Sequence, residues 1–209
     1  DEARRPILYD EVLADALAKH LRLKAAWQNR ELARRHETVV IFVDEPYLSA
    51  FGSAFVSLSR EQVLTLLGEV FDGISGYSGV HCCGNTDWSV LLATSVDILS
   101  LDAYNYAEAI TLYPTEVEAF LRRGGAIAWG LIPNEEEPLQ RETVASLVDR
   151  WEAAAAALSR KGVTSALLRE RWLLTPSCGL SGLSEDAAEQ ALELTALTAT
   201  ALRKRYLKE

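Results

Sequence analysis

Five short apolar segments, each separated from the next by a stretch with helical periodicity, constrain the fold of this chain more than any other feature. They occupy residues 39–43, 78–83, 96–101, 126–131 and 169–174. A run such as Val-Val-Ile-Phe-Val is typical of a strand buried on both faces of a parallel sheet. No hairpin signal such as Asn-Gly joins two of the runs. The sequence therefore predicts a parallel sheet with helical crossovers, each of them right-handed.

The helices are predicted from apolar spacing and from capping residues. They are expected over about residues 9–36, 61–71, 87–94, 114–123, 140–161 and 185–207. Ser59 is a candidate N-cap with Gln62 as its capping-box partner, and Ser184 is a candidate N-cap of the last helix.

Polar residues that could bind a metal or take part in catalysis follow four of the five predicted strands. They are Asp44, His81 with Cys83, Asp102 and Cys178. The carboxyl ends of the strands form the active-site face of a β/α barrel, whereas an open doubly wound sheet binds ligands at one crevice. Because four strand ends converge only in a closed sheet, the pattern favours an α/β fold of the (β/α)8 TIM-barrel type.

The length bounds how much of such a barrel is present. A complete barrel has eight strands and about 250 residues, whereas this chain has 209 residues and five predicted strands. We therefore interpret residues 1–209 as a single domain holding the C-terminal five or so β/α units. The chain also contains no Met. This favours a piece of a longer protein with a missing N-terminal segment, and ordinary removal of the first residue is the alternative.

His81, Cys83 and Cys178 form a candidate metal site. Side chains alternate along a strand, so His81 and Cys83 share one face while Cys82 points to the other as a packed apolar residue. One nitrogen and two sulfur ligands suit zinc, and a catalytic zinc keeps a fourth position for substrate. A thiol bound there loses its proton and becomes a nucleophile. A buried Cys/His cluster without metal is the alternative.

Two carboxylates flank this group, and each has two interpretations. Asp44, in Asp44-Glu45-Pro46, could hold a substrate ammonium, or it could cap a loop or pair with an arginine. Asp102 could be a displaceable fourth metal ligand or could orient His81 from outside the ligand set, and Asp also often begins a loop.

Composition excludes several partners. The net charge of -9 argues against nucleic acid, and no apolar run reaches the ~20 residues of a membrane span. Three cysteines, two of them adjacent, are a poor disulfide framework and indicate a reducing compartment, hence a cytoplasmic protein.

Four motifs together resemble one known superfamily. They are Val43-Asp44-Glu45-Pro46, His81-Cys82-Cys83-Gly84-Asn85-Thr86, the segment V-D-I-L-S-L-D ending at Asp102, and Thr175-Pro176-Ser177-Cys178-Gly179-Leu180. In this order and rough spacing they resemble the catalytic domain of cobalamin-independent methionine synthase. Its superfamily also includes uroporphyrinogen decarboxylase and corrinoid methyltransferases.

The resemblance implies a TIM barrel that transfers a methyl group to homocysteine. It implies Zn²⁺ bound by His81, Cys83, Asp102 and Cys178, and it implies that Asp44 binds the homocysteine amino group. The synthases carry Glu where this chain has Asp102. The Cys-Gly-Asn-Thr segment after the His resembles the decarboxylases and corrinoid methyltransferases of the superfamily more than the synthases. The methyl donor is therefore left as either 5-methyltetrahydrofolate or a methyl-corrinoid protein.

Two further functions are retained as alternatives. One is a uroporphyrinogen decarboxylase-like lyase, which uses no metal, or a related corrinoid-protein methyltransferase. The other is a non-catalytic barrel fragment that assembles with a partner supplying the remaining strands. In either a synthase or a fragment, the two outer strands are expected to pair with the missing units or with another copy in a homo-oligomer.

Overall fold

A computed structural model of the chain describes residues 6–53 and 56–207. Its centre is a five-stranded sheet in which every neighbouring pair is parallel. The strands are β1 (Val40–Asp44), β2 (Tyr77–Cys82), β3 (Ile98–Leu101), β4 (Ala126–Ile132) and β5 (Trp172–Pro176). This mixed α/β architecture with a parallel sheet confirms the prediction from the apolar runs.

Nine α-helices are described in the same residues. They are α1 (Glu11–Ala33), α2 (Arg60–Phe71), α3 (Trp88–Leu92), α4 (Ala103–Ile110), α5 (Pro114–Arg122), α6 (Glu136–Arg141), α7 (Val144–Arg160), α8 (Ser165–Glu170) and α9 (Glu185–Tyr206). Short 3₁₀ helices occupy Ile7–Tyr9 and Pro46–Ala50. Within residues 6–53 and 56–207, no helix combines the length and apolarity that crossing a membrane requires.

The strands lie side by side in chain order, β1-β2-β3-β4-β5. A doubly wound sheet reverses its strand order at the point where ligands bind. The described sheet has no such reversal, so its carboxyl ends follow one another along a single edge. This order brings the residues after β1, β2, β3 and β5 to the same edge of the sheet.

One face of the sheet is covered by helices and holds the core. Val80, Leu99 and Ile127 are in register on neighbouring strands and are almost completely buried. Large side chains from the helices join them in a single apolar cluster, among them Trp88 and Phe120. Parallel strands gain stability from this burial, at about 25 cal/mol for each Å² of apolar surface removed from water.

The opposite face is lined by small and polar residues. The row Asp44, His81, Ser100 and Ala128 lies in register across β1 to β4. Phe42 on β1 lies over Gly79 on β2, where an added Cβ would come within 2.5 Å of the ring. Ala128 is fully buried although Phe42 remains 41% exposed. The central strands are thus shielded on this face, while the first strand is partly open.

The predicted boundaries needed four corrections. Residues 165–170 form α8, because Ser-Ala-Leu-Leu-Arg-Glu is rich in good helix formers, and β5 therefore begins only at Trp172. The helix predicted at 140–161 is two helices, since Thr143 caps α7 in a capping box with Ser146. Helix α4 was not predicted at all. Ser184 does precede α9, but its side chain makes no capping hydrogen bond.

Other local predictions are confirmed. Ser59 caps α2, and the reciprocal capping-box bond with Gln62 is present. Cys82 is fully buried in the core cluster, as its position on the helix-covered face of β2 predicts.

Candidate metal centre

The carboxyl ends of β2 and β5 bring one imidazole and two thiols together. The candidate ligand atoms of His81, Cys83 and Cys178 all lie within 4.8 Å of one another. Among the described residues, this is the one group of three or more His, Cys, Asp or Glu side chains close enough to share an ion. The predicted convergence of these three residues is therefore present in the structure.

His81 is held on one side and unpaired on the other. Its Nδ1 lies 2.9 Å from the hydroxyl oxygen of Ser100, the register neighbour on β3. Its Nε2 is buried and has no hydrogen-bond partner. Burial lowers the pKa of His81, against the opposing effect of the Asp44 and Asp102 charges. A neutral imidazole with one unsatisfied nitrogen is the state that a metal ligand requires.

The two thiols are free and adjacent. Neither Cys83 nor Cys178 is in a disulfide, and both are half-buried. Burial raises the pKa of the Cys83 thiol, and the neighbouring Cys178 raises it further. Negative charge on the neighbouring sulfur opposes ionisation of Cys83, and a cation bound between the two sulfurs would remove that opposition.

Close backbone packing places the Cys178 loop. Gly130 on β4 has no room for a Cβ, which would lie 2.5 Å from the Leu101 carbonyl oxygen and 2.9 Å from the Ser177 Cα. The buried Ser177 hydroxyl donates to the Asn134 side-chain oxygen at 3.0 Å, and the Ser177 N–H donates to the Ile132 carbonyl. The residue before Cys178 is thus fixed to the end of β4.

Asp44 ends β1 beside His81 and is exposed to solvent. Within residues 6–53 and 56–207, its carboxylate makes no hydrogen bond or ion pair, and each of its predicted roles stays a prediction. It is not a member of the three-residue ligand group. Its charge acts on the neighbouring His81, where it opposes the lowering of the imidazole pKa by burial.

Asp102 caps a helix next to the site. One carboxylate oxygen accepts from the Asn105 N–H at 3.0 Å, and the other accepts from the Asn105 side-chain amide at 2.8 Å. Asp102 is buried and is not in the group of converging ligand atoms. Its negative charge opposes the lowering of the His81 pKa by burial, and it adds to the raised pKa of Cys83. The arrangement supports a role outside the ligand set, and direct metal binding by Asp102 stays a prediction.

Sequence reasoning did not single out Ser100 or Asn134. Ser100 carries the one hydroxyl in the apolar strand Ile98–Leu101. Its position opposite His81 depends on strand register, which cannot be inferred from the sequence alone. Asn134 lies two residues after Ile132, the last residue of β4. A lone polar residue in, or just after, a buried strand is the signal that could have identified both.

The donor set fits zinc. Tetrahedral zinc binds sulfur at about 2.3 Å, which places two thiolates roughly 3.8 Å apart. Donor atoms already within 4.8 Å of one another need only small movements to reach such spacing. Two sulfurs and one imidazole nitrogen are soft and borderline ligands, which zinc favours, whereas magnesium and calcium favour oxygen ligands.

Comparison with known proteins adds no relative. No protein-family model matches the chain, and a search of curated proteins finds no match.

Proposed function

We propose that this chain is the C-terminal part of a (β/α)8 barrel that binds Zn²⁺ and transfers a methyl group to a thiol of the homocysteine type. The observation that carries the proposal is the convergence of His81, Cys83 and Cys178, with a buried and unpaired Nε2 among them. A buried polar atom without a partner is costly, and a ligand that completes its coordination offsets this cost.

The sheet supports the barrel. Its strands are parallel and in uninterrupted chain order, and its small-residue face is shielded at the centre but open at β1 and β5. Phe42 and Leu173 are both about 40% exposed on these two edge strands. Parallel sheets normally have both faces covered. Further β/α units, or another copy of the chain, would pair with the two edges and cover this face.

A bound zinc would be held by His81, Cys83 and Cys178, and it would supply a thiolate nucleophile by lowering the pKa of a substrate thiol. Methyl transfer then forms a bond between the acceptor sulfur and the methyl carbon. The bond from that carbon to the donor breaks, and its electron pair stays on the donor. The thiol proton passes to solvent or to a nearby base.

The chain's carboxylates would orient the acceptor. Asp44 is exposed beside His81 in the strand register, where its charge can accept hydrogen bonds from a substrate ammonium. Asp102, held by Asn105, would favour a metal ion electrostatically at the His81 and Cys83 side of the site. Free thiols at a working site require reducing conditions, so we propose a cytoplasmic location.

The first test is metal content together with activity. Protein purified without chelator and with reduced thiols is expected to hold about one zinc per chain. Methylation of homocysteine should then be assayed with 5-methyltetrahydrofolate and with a methyl-corrinoid protein, because the site does not distinguish these donors. Absence of zinc would refute the proposal and favour the metal-free lyase.

A second test addresses the fragment alternative. A chain that binds zinc but transfers no methyl group with either donor should be assayed again after the preceding polypeptide of its natural protein is restored. Activity only in the longer chain would support an incomplete barrel. Zinc binding without activity in both would favour a non-catalytic role.

A further inference from the structure

Ser100 contacts the candidate metal ligand His81 from the neighbouring strand. It is 5% exposed, and its hydroxyl oxygen lies 2.9 Å from His81 Nδ1. The strand register places the two residues opposite each other on β2 and β3. Both backbones belong to regular strands, so the sheet keeps the two Cα atoms opposite each other and their side chains on the same face.

The hydrogen bond engages Nδ1 and leaves Nε2 as the unpaired ring nitrogen. A neutral imidazole carries one proton, either on Nδ1 or on Nε2. If Nε2 carried it, a buried N–H would have no partner, because Nε2 makes no hydrogen bond. If Nδ1 carries it, the proton is donated to the Ser100 oxygen and Nε2 keeps its lone pair. The second tautomer satisfies both nitrogens once a cation is present.

We infer that Ser100 is a positioning residue that accepts the Nδ1 proton of His81 and so fixes Nε2 as the metal-binding nitrogen. The inference rests on the proposed zinc site, and it goes beyond that site by assigning the tautomer and the residue that controls it. Partners of this kind orient metal-ligating histidines, and their loss typically lowers metal affinity by about 10- to 100-fold.

The variants are chosen to separate positioning from packing. Ser100→Ala removes the acceptor, and Ser100→Thr keeps it. Ser78→Ala is the matched control: Ser78 is 6% exposed, and its hydroxyl donates to Asp97 at 2.9 Å at the amino end of β2. Each Ala variant removes one buried serine hydroxyl from this sheet, but Ser78 does not touch His81.

The first measurement is made on zinc-free protein. Nitrogen NMR of the imidazole is expected to show His81 protonated on Nδ1 in the wild type and in Ser100→Thr, with Nε2 protonation increasing in Ser100→Ala. A wild-type ring protonated on Nε2 would overturn the inference. This readout needs no metal and no activity.

The second measurement is zinc affinity by competition with a chromophoric chelator. Ser100→Ala should bind zinc about 10- to 100-fold more weakly, whereas Ser100→Thr and Ser78→Ala should stay within about threefold of the wild type. Equal affinity in Ser100→Ala and the wild type would overturn the inference and leave the zinc site standing. If the wild type binds no zinc, the proposed function fails, and the NMR result alone decides the role of Ser100. If Ser100→Ala does not fold, the wild-type tautomer and the Ser100→Thr affinity decide it.

Discussion

The two ends of strands β2 and β3 each carry a buried serine beside a polar partner, but only one end is satisfied. At the amino end, the Ser78 hydroxyl and N–H both donate to the same Asp97 carboxylate oxygen, at 2.9 and 2.8 Å. The Asp97 N–H in turn donates to the Ser78 carbonyl. At the carboxyl end, Ser100 reaches only one nitrogen of His81, and the other nitrogen has no partner.

The difference separates a structural network from a candidate binding site. Buried polar groups in folded proteins are nearly always hydrogen-bonded, because an unpaired group costs about 1–3 kcal/mol. The amino-end network meets this requirement within the protein. The carboxyl-end group does so only when something binds to Nε2, which is why the two ends should respond differently to substitution.

The largest expected effect comes from removing a thiol ligand. Cys178→Ala takes one sulfur from a three-residue ligand group, so zinc content should fall from about one per chain to nearly none, and methyl transfer should be lost with it. Cys82→Ala is the control, because Cys82 is buried in the core on the other face. Elemental analysis of both variants checks this. Equal zinc loss from the two would contradict the strand facing described above.

The next effect concerns substrate and not metal. Asp44→Asn should keep its zinc, since Asp44 lies outside the ligand group, but it should lose a charge-assisted hydrogen bond to the acceptor ammonium. Such a bond is worth roughly 1.5–3 kcal/mol, or about a ten- to hundredfold drop in kcat/KM. Steady-state kinetics with varied homocysteine measures the drop. Loss of zinc from Asp44→Asn would show that the carboxylate belongs to the metal site.

Zinc affinity should also depend on pH with a defined sign. Burial raises the pKa of Cys83, so below that pKa zinc must displace its proton, whereas the pKa of His81 is lowered and its ring is already neutral near pH 7. Affinity should therefore rise with pH, about tenfold per unit for each proton displaced. Chelator competition at several pH values between 6 and 8 tests this. A flat profile would mean that the thiols are not ligands.

The smallest effect on the site is expected from the amino end. Asp97→Ala would leave the Ser78 N–H and hydroxyl without their acceptor. The free energy of unfolding should fall by about 1–3 kcal/mol for each donor left unpaired. Zinc affinity should nevertheless stay within about twofold of the wild type. Urea unfolding of zinc-free protein and chelator competition measure the two quantities. A large loss of zinc affinity would show that the ends of the sheet are coupled.

The parallel sheet and the convergence of His81, Cys83 and Cys178 could be predicted because each depends on local patterns. Apolar runs indicate buried strands, and a residue just after a parallel strand lies at the shared edge whatever the crossover does. Alternation along β2 likewise sufficed to separate Cys82 from its two neighbours. These inferences need only the two-residue period of a strand.

What could not be predicted depends on register and on competition between local structures. The partnership of Ser100 with His81 requires knowing which residues lie opposite each other on β2 and β3. The sequence predicts a strand from residue 169, yet residues 165–170 form helix α8 against α5, where Glu118 accepts from the Thr164 N–H. The helix formers of this segment compete with the strand pattern that begins at Arg169, and the sequence alone does not decide which of the two sets the boundary.

The site extends from one edge of the described sheet to the other, since Asp44 ends β1 and Cys178 follows β5. A strand that pairs with either edge would therefore act directly on a residue of the site. Thermodynamic linkage makes such an effect reciprocal: if pairing at an edge strengthens ligand binding by some factor, the ligand strengthens pairing by the same factor. Pairing of strands at the edges of the sheet and ligand binding at its carboxyl end would then be thermodynamically coupled, so that each favours the other.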